Sequence, residues 1–273
     1  MKSAKHLLHI LPLLLVLAQP LHAQTATDII HTDKAGRVLT FGDVNGSFSR
    51  LRNAALFQSK PSSKARRLKE LGDDASLKKD YETARRHYEA SAEASPKWPY
   101  PIYRLAEDYL DEGNTAKAYE FHRRVDSLSP RGFLRTLTIL PTLQLEMQGK
   151  LPRGTAQRLF KLEFEWVGKE KAWKQAAVEL TTRYPDFAPG WQEMARVEDD
   201  PVKRLQFIEK GLSKDPDPET RGWFLVTRAE TLAERGDKAT ALRMLGDVAL
   251  DPTSTVETEI LAKHTIETML SKK

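Results

Sequence analysis

The hydrophobic and polar positions of the chain form short helical segments that repeat at a fixed spacing. The segment "DYETARRHYEASAEASP", residues 80–96, begins with an acidic residue, places Ala84, Tyr88 and Ala92 on one helical face and ends at a proline. Residues 114–130, "NTAKAYEFHRRVDSLSP", share this outline 34 residues later. Because a recurrence of this length is typical of stacked helical hairpins, the pattern predicts a helical repeat protein.

Small residues and prolines recur at the same spacing. The matched pairs are Gly72 with Ala106, Ala84 with Ala118, and Pro96 with Pro130. Where two antiparallel helices cross closely only Gly or Ala fits, so the small residues allow the two backbones of each hairpin to approach. Proline ends the second helix because it has no N–H group to continue the hydrogen-bond ladder.

Further segments extend the pattern towards the C-terminus. "GWFLVTRAETLAERGDKATALRMLGDVALDP", from residue 222, matches well, and "GWQEMARVEDDPVKRLQFIEKGLSKDP" is a shorter hairpin whose second helix starts at Asp200 and Pro201. Residues 133–185 match loosely and predict an irregular hairpin plus an extra helix, with Pro141 either kinking one helix or starting a new one. The last segment, from residue 254, predicts a helix that caps the array.

These residues resemble the tetratricopeptide repeat (TPR) family. Counted from Ala65, the family's small, small, large and proline positions are occupied by Gly72, Ala84, Tyr88 and Pro96. The resemblance covers residues 60–98, 99–132 and 186–252. It implies an all-α, right-handed superhelical solenoid of TPR-like helix-turn-helix repeats, about five hairpins in all, over residues 61–273.

The resemblance also implies a concave groove lined by the first helix of each hairpin. Four positions of each first helix face it, and they fall on Arg66, Lys69, Asp73 and Ser76, on Tyr100, Tyr103, Glu107 and Leu110, and on Trp223, Val226, Glu230 and Ala233. From these we predict the protein- or peptide-binding residues Arg66, Lys69, Asp73, Tyr100, Tyr103, Glu107 and Trp223. The alternative is that they only pack hairpin on hairpin or face water. Asp73 replaces the Asn that some family members use to bind a C-terminal carboxylate, which disfavours that mode.

The N-terminus resembles a secretory signal peptide. Lys2 and Lys5 precede an apolar run from Leu7 to Ala18 that is too short to cross a membrane comfortably. We predict removal of residues 1–23, with cleavage after Ala18 or Ala23, a periplasmic or secreted protein, and no stable membrane span afterwards; an uncleaved anchor is the alternative. The chain has no cysteine, so disulfides and thiolate metal sites are excluded.

Residues 24–60 differ from the repeats. "AGRVLTFGDVNGSFSRL" alternates β-forming residues around the turn-rich "GDVNG", which predicts a short hairpin turning there. We therefore expect a poorly structured arm with one hairpin at most, followed by a linker. The same Gly-Asp-x-x-Gly loop resembles one motif of the metallophosphoesterases, with Asp43 as a metal ligand. Asn45 stands where a histidine ligand is expected, and the partner motifs of such an enzyme do not occur.

Charge and composition argue for a binding protein. The formal charge is +5, on a surface of mixed sign that does not predict nucleic-acid binding. The histidines are scattered, with His87 and His122 expected at the edge of the packed face, and no catalytic, cofactor-binding or metal-binding set is predicted. The leading hypothesis is an exported, non-catalytic adaptor for a protein or peptide. The alternatives are an enzyme that uses Asp43 and a self-assembling homo-oligomer.

Overall fold

A computed structural model describes residues 25, 27–46, 59–165 and 170–271, except for the side chains of 162–165 and 170. The predicted signal peptide, residues 1–23, lies outside the described residues. The elements are β1 (Ile29–Thr32), β2 (Val38–Thr40), α1 (Phe41–Val44), α2 (Ser63–Leu77), α3 (Tyr81–Ala94), α4 (Pro99–Asp111), α5 (Thr115–Leu128), α6 (Thr136–Met147), α7 (Thr155–Glu165), α8 (Glu170–Arg183), α9 (Ala188–Arg196), α10 (Pro201–Leu212), α11 (Pro218–Glu234), α12 (Lys238–Leu250) and α13 (Val256–Ser271).

The prediction of an all-α, TPR-like solenoid is confirmed. Within the described ranges, five helical hairpins follow one another, α2/α3, α4/α5, α6/α7, α9/α10 and α11/α12. Helix α8 is the extra helix and packs against α9, and α13 packs against α11 and α12. None of the described helices is long and apolar enough to cross a membrane.

Side chains at the helix starts explain where the second helices of the hairpins begin. The side chains of Asp80, Asn114 and Asp237 each precede such a helix and accept a hydrogen bond from a backbone N–H of its first turn. Asp200 does the same for α10, which begins at Pro201 as predicted. These acceptors satisfy N–H groups that have no partner inside the helix, so each hairpin starts its return helix at a defined residue.

Small residues lie where the helices approach, as predicted. Ala84, Ala106 and Ala118 are fully buried, and Gly72 is buried on α2. A Cβ atom added to Gly72 would lie 2.5 Å from Cε1 of Tyr88, whose ring is also fully buried. The tyrosine ring of the first hairpin therefore occupies the space that the missing side chain leaves.

Pro141 lies inside α6, so of the two predicted alternatives the single helix is the one observed. Thr142 follows it, and its hydroxyl donates to the carbonyl of Thr138 at 2.7 Å. Proline removes one backbone hydrogen bond from the helix interior, and buried contacts of Ile139 and Leu143 on either side hold α6 in the stack.

The N-terminal hairpin is present, but its predicted turn was wrong. Strands β1 and β2 are antiparallel and connect through residues 33–37, where the Asp33 carboxylate accepts the N–H groups of Ala35 and Arg37. The "GDV" residues instead form α1. The reason is a capping box, in which the carboxylate of Asp43 accepts hydrogen bonds from the backbone N–H and the hydroxyl of Thr40.

The hairpin and α1, residues 28–46, form an ordered arm that packs on the C-terminal helices. This corrects the expectation of a poorly structured arm for this part of the chain. Leu39 and Val44 are fully buried in one apolar cluster with residues of α11, α12 and α13. Nε2 of His31 lies 2.8 Å from the Asp247 carboxylate on α12. The arm thus covers, together with α13, the last apolar face of the stack.

Candidate functional site

Two neighbouring first helices, α2 and α4, bring five of the predicted binding residues together. Lys69 and Asp73 are one turn apart on α2, and Tyr100, Tyr103 and Glu107 lie along α4. Residues four apart on a helix share a face, so each helix presents a single polar and aromatic edge to the other. We call these five residues, together with Arg104, the groove cluster.

Arg104 holds the cluster together. Its Nε lies 3.2 Å from Asp73 Oδ1 and 3.1 Å from the Tyr88 hydroxyl, and Nη1 contacts Glu107 Oε2. Tyr88 also donates to Asp73 Oδ1 at 2.9 Å. Arg104 lies on α4 between the predicted groove positions Tyr103 and Glu107, and the sequence analysis did not identify it. Its planar donor set is suited to bind two carboxylates at once.

Lys69 completes the network on α2. Its ammonium group is 2.8 Å from Asp73 Oδ2 and 4.9 Å from the centre of the Tyr100 ring. Tyr100 in turn stacks on Trp98, with ring centres 5.7 Å apart. Lys69 therefore contacts the Tyr100 ring, but Lys69 and Arg104 already neutralise acidic groups of the cluster itself.

Burial raises the pKa of the carboxyl groups on α4. Glu107 is almost fully buried, and this burial raises its pKa to about 7, against hydrogen bonds from Tyr103 and Arg104 that lower it. Burial also raises the pKa of Asp108 to about 6, although the Ser76 hydroxyl donates to it at 2.8 Å. Burial therefore acts in the same direction on both carboxyl groups of α4.

A cavity of about 410 Å³ opens beside the cluster. Its lining residues, from three hairpins, are Lys79, Tyr81, Arg104, Glu107, Asp111, Phe160 and Lys161. Lys79 has a φ of +61°, a backbone conformation that favours glycine, at the position equivalent to Gly113 of the next hairpin. The lining combines two aromatic rings with the cations of Lys79, Arg104 and Lys161 and the carboxylates of Glu107 and Asp111, so it can hold an apolar side chain next to a charged group.

The remaining predicted residues lie elsewhere. Arg66 is exposed one turn before Lys69, and Trp223 is half-buried on α11 in the C-terminal part of the stack. The sequence also missed Tyr81, Phe160 and Lys161. Tyr81 begins a second helix, and Phe160 and Lys161 lie in the loosely matching stretch, so no repeat position marked them.

The residues considered for other chemistry take structural roles. Asp43 caps α1, and hydrogen bonds from Thr40 lower its pKa. His122 is fully buried against Tyr103, with ring centres 5.8 Å apart, rather than at the edge of the packed face. Burial lowers the pKa of His122 to about 3. In the described part of the chain, no group of three His, Cys, Asp or Glu residues could hold a metal ion.

Comparison with known proteins adds one distant structural likeness. No protein-family model matches the chain, and no curated protein matches it. Among solved structures, the chain is similar to the TPR2AB-domain:pHSP90 complex of yeast Sti1, at 16% identity, over 83% of this chain and 92% of that chain, with a TM-score of 0.32. The TPR-like helical repeat architecture is shown by the hairpins of the described residues themselves.

Proposed function

We propose that this protein is an exported, non-catalytic scaffold that binds a protein or peptide through the groove cluster and the cavity beside it. The proposal is supported by one observation above all. Lys69, Asp73, Tyr100 and Glu107 are linked to one another or to Arg104, and Arg104 and Glu107 also line an open cavity, together with two aromatic rings, two lysines and the carboxylate of Asp111.

The network explains why the site suits binding. Because Lys69, Asp73, Arg104 and Glu107 contact one another, the side chains are held in place before a ligand arrives, and less conformational entropy is lost on binding. Lys79 and Lys161 line the cavity and are exposed, with Lys161 Nζ at 3.9 Å from Asp111 Oδ1. We therefore expect the partner to present an acidic group next to an apolar side chain.

Photo-crosslinking in the native host tests the binding site. A photoreactive phenylalanine analogue replaces Tyr81, which lines the cavity, or Glu89, which is exposed on the same helix α3. We expect a specific adduct from position 81 and none above background from position 89. Reversing the charge of both Lys79 and Lys161 should then abolish the adduct. Equal adducts at both positions, or none at 81, would refute the site.

Export is a separate part of the proposal, and it is supported by the two lysines and the apolar run of residues 7–18. Cell fractionation with N-terminal sequencing of the mature chain tests it. We expect a periplasmic or secreted chain that begins at Gln19 or Gln24. A cytoplasmic chain that retains Met1 or Lys2 would contradict export.

A further alternative is a homo-oligomer in which the concave face of one copy receives the arm of another. The arm packs on the C-terminal helices of its own chain, so it would have to leave them to reach a neighbour. Light scattering of the full-length protein and of a variant lacking residues 1–46 measures the oligomeric state. A dimer that depends on the arm would support self-assembly, and a monomer in both cases would contradict it.

A further inference from the structure

The C-terminal helices contact the middle of the stack through residues that are far apart in sequence. The hydroxyl of Thr138, on α6, donates to Asp217 Oδ1 at 3.1 Å and lies 3.3 Å from the hydroxyl of Thr220 on α11. Asp217 is also the N-cap residue of α11. The start of α11 therefore contacts α6, although α7, α8, α9 and α10 separate the two helices along the chain.

A second set of bonds lies beside the first. The guanidinium of Arg131 donates to the carbonyl of Ser254, at 3.1 Å from Nη2, and to Glu259 Oε2, at 2.6 Å. The backbone carbonyl of Arg131 accepts the N–H of Val256 at 2.9 Å, at the start of α13. Arg135 and Glu219 face each other across the same boundary, 3.9 Å apart and almost fully buried. We call these bonds together the closing contact.

The closing contact is polar, whereas the bodies on either side of it have apolar cores of their own. Helices α11, α12 and α13 share a core with the arm, and α6 belongs to a different core that includes Leu110 and Leu159. In the part of the chain that the structure describes, no apolar cluster joins α6 to α11. Opening the closing contact therefore exposes hydrogen-bonding groups and charges that water can solvate, and neither core.

The segment that carries this contact also touches the groove cluster. Phe133 lies between Arg131 and Arg135, and its ring packs edge-on to Tyr100 and Tyr103, at centre distances of 5.9 and 5.6 Å. Leu134, next to it, has a φ of +50°, a conformation that non-glycine residues adopt only when their surroundings impose it. The segment 131–135 is thus held by the groove tyrosines on one side and by the C-terminal helices on the other.

We propose that the C-terminal unit, the arm with α11, α12 and α13, swings open at the closing contact while the apolar clusters on either side stay folded, and that this opening leaves segment 131–135 held only by the packing of Phe133 against the groove tyrosines. The unit would pivot about α10 and α11, which remain joined by the packing of Phe224 on Ile208 and its neighbours. The opening stands on the structure alone, and its effect on the groove rests on the proposed function.

Amide hydrogen exchange measures the opening directly. The Val256 N–H reports it, because its acceptor lies across the contact, and the Asn114 N–H, bonded to Tyr109 within one hairpin at 2.8 Å, is the control. We expect Val256 to exchange faster than amides inside α11 and α12. Removing the partly exposed Arg131 side chain with Arg131→Ala should accelerate it about fivefold, with no change at Asn114. Exchange of Val256 at the rate of the α11 and α12 amides, in both proteins, would overturn the proposal.

A disulfide gives the converse test, since the chain has no cysteine of its own. Thr138→Cys with Thr220→Cys replaces two hydroxyl oxygens that are 3.3 Å apart, and Thr138→Ser with Thr220→Ser is the control that cannot be oxidised. We expect oxidation to slow exchange of the Val256 N–H and to cancel the acceleration caused by Arg131→Ala. Reduction should restore both the faster exchange and the effect of Arg131→Ala. No difference between oxidised and reduced protein would show that the contact does not open.

The effect on the groove is measured by the photo-crosslink from position 81 in the same cysteine variant. The closed form holds the groove tyrosines through Phe133, so we expect at least about twofold more adduct from the oxidised than from the reduced protein. Equal yields would refute the coupling and leave the opening intact. No adduct in either form would refute the proposed function, and the coupling with it, while the exchange data still decide the opening.

Discussion

The packing of Tyr88 over Gly72 gives the sharpest prediction of stability. Gly72→Ala adds a Cβ atom 2.5 Å from Cε1 and 2.6 Å from Cδ1 of the Tyr88 ring. The ring cannot turn aside freely, since its hydroxyl is bonded to both Asp73 and Arg104. Either the ring or the α2 backbone must move, and the hairpin opens locally.

The magnitude follows from two opposing terms. Forcing an extra carbon into a packed core costs about 1–3 kcal/mol, and the immobile ring places this site near the upper end. Alanine is a better helix former than glycine by about 1 kcal/mol, which offsets part of the cost. We expect Gly72→Ala to lower the free energy of unfolding by about 2 kcal/mol.

A double-mutant cycle measured by urea unfolding and circular dichroism separates the two terms. In a Tyr88→Leu background the clash is absent, so Gly72→Ala should be neutral or stabilising by about 1 kcal/mol. Gly190→Ala is the matched control elsewhere, because a Cβ atom there meets its nearest neighbours at 3.4 Å. If Gly72→Ala costs the same in both backgrounds, the ring contact is not what demands glycine at this position.

Further predictions concern pH and the arm. Burial raises the pKa of Glu107 to about 7 from 4.5, so the folded state binds this proton more tightly, and the resulting contribution to stability is lost as pH rises from about 4.5 to about 7. The free energy of unfolding of Glu107→Gln, measured across this range, should therefore increase relative to that of the wild type as pH rises. A constant difference between the two proteins would contradict the raised pKa. Burial lowers the pKa of His122 to about 3 from 6.5, so stability falls as pH drops below about 6.5. In acid denaturation, His122→Phe should lack this loss of stability. If the variant loses stability in acid as the wild type does, the buried imidazole is not neutral. Leu39→Ala removes a fully buried side chain from the C-terminal core and should lower the free energy of unfolding by about 3 kcal/mol, with faster hydrogen exchange first in α12 and α13. The control Val38→Ala, at a position that is 44% exposed, should lower it little. Equal losses in the two variants would show that the arm does not complete that core.

Much of the fold could be predicted because it depends on local, repeated features. Small residues at Gly72 and Ala106 and caps such as Asp200 each act within one hairpin, so the sequence pattern carries them directly. The predicted hairpin turn at "GDVNG" was wrong because of another local feature. Its residues do form a turn, but the hydrogen bonds that Thr40 donates to the Asp43 carboxylate favour a helical turn over a strand reversal.

The candidate site was predictable only in part. The repeat positions identified Lys69 and Asp73 as groove residues. They could not show that Arg104, from the next hairpin, forms an ion pair with Asp73. Phe160 reaches the cavity from a stretch that breaks the repeat period, and the closing contact joins residues about eighty or more positions apart. Contacts of this kind depend on how hairpins are arranged in space, and no periodicity encodes that arrangement.

The docking of the arm has a consequence for biosynthesis. Leu39 and Val44 leave the ribosome long before Ile266, one of the α13 residues that share their apolar cluster. Until α13 has been made, the nascent chain therefore carries an apolar segment without its final neighbours.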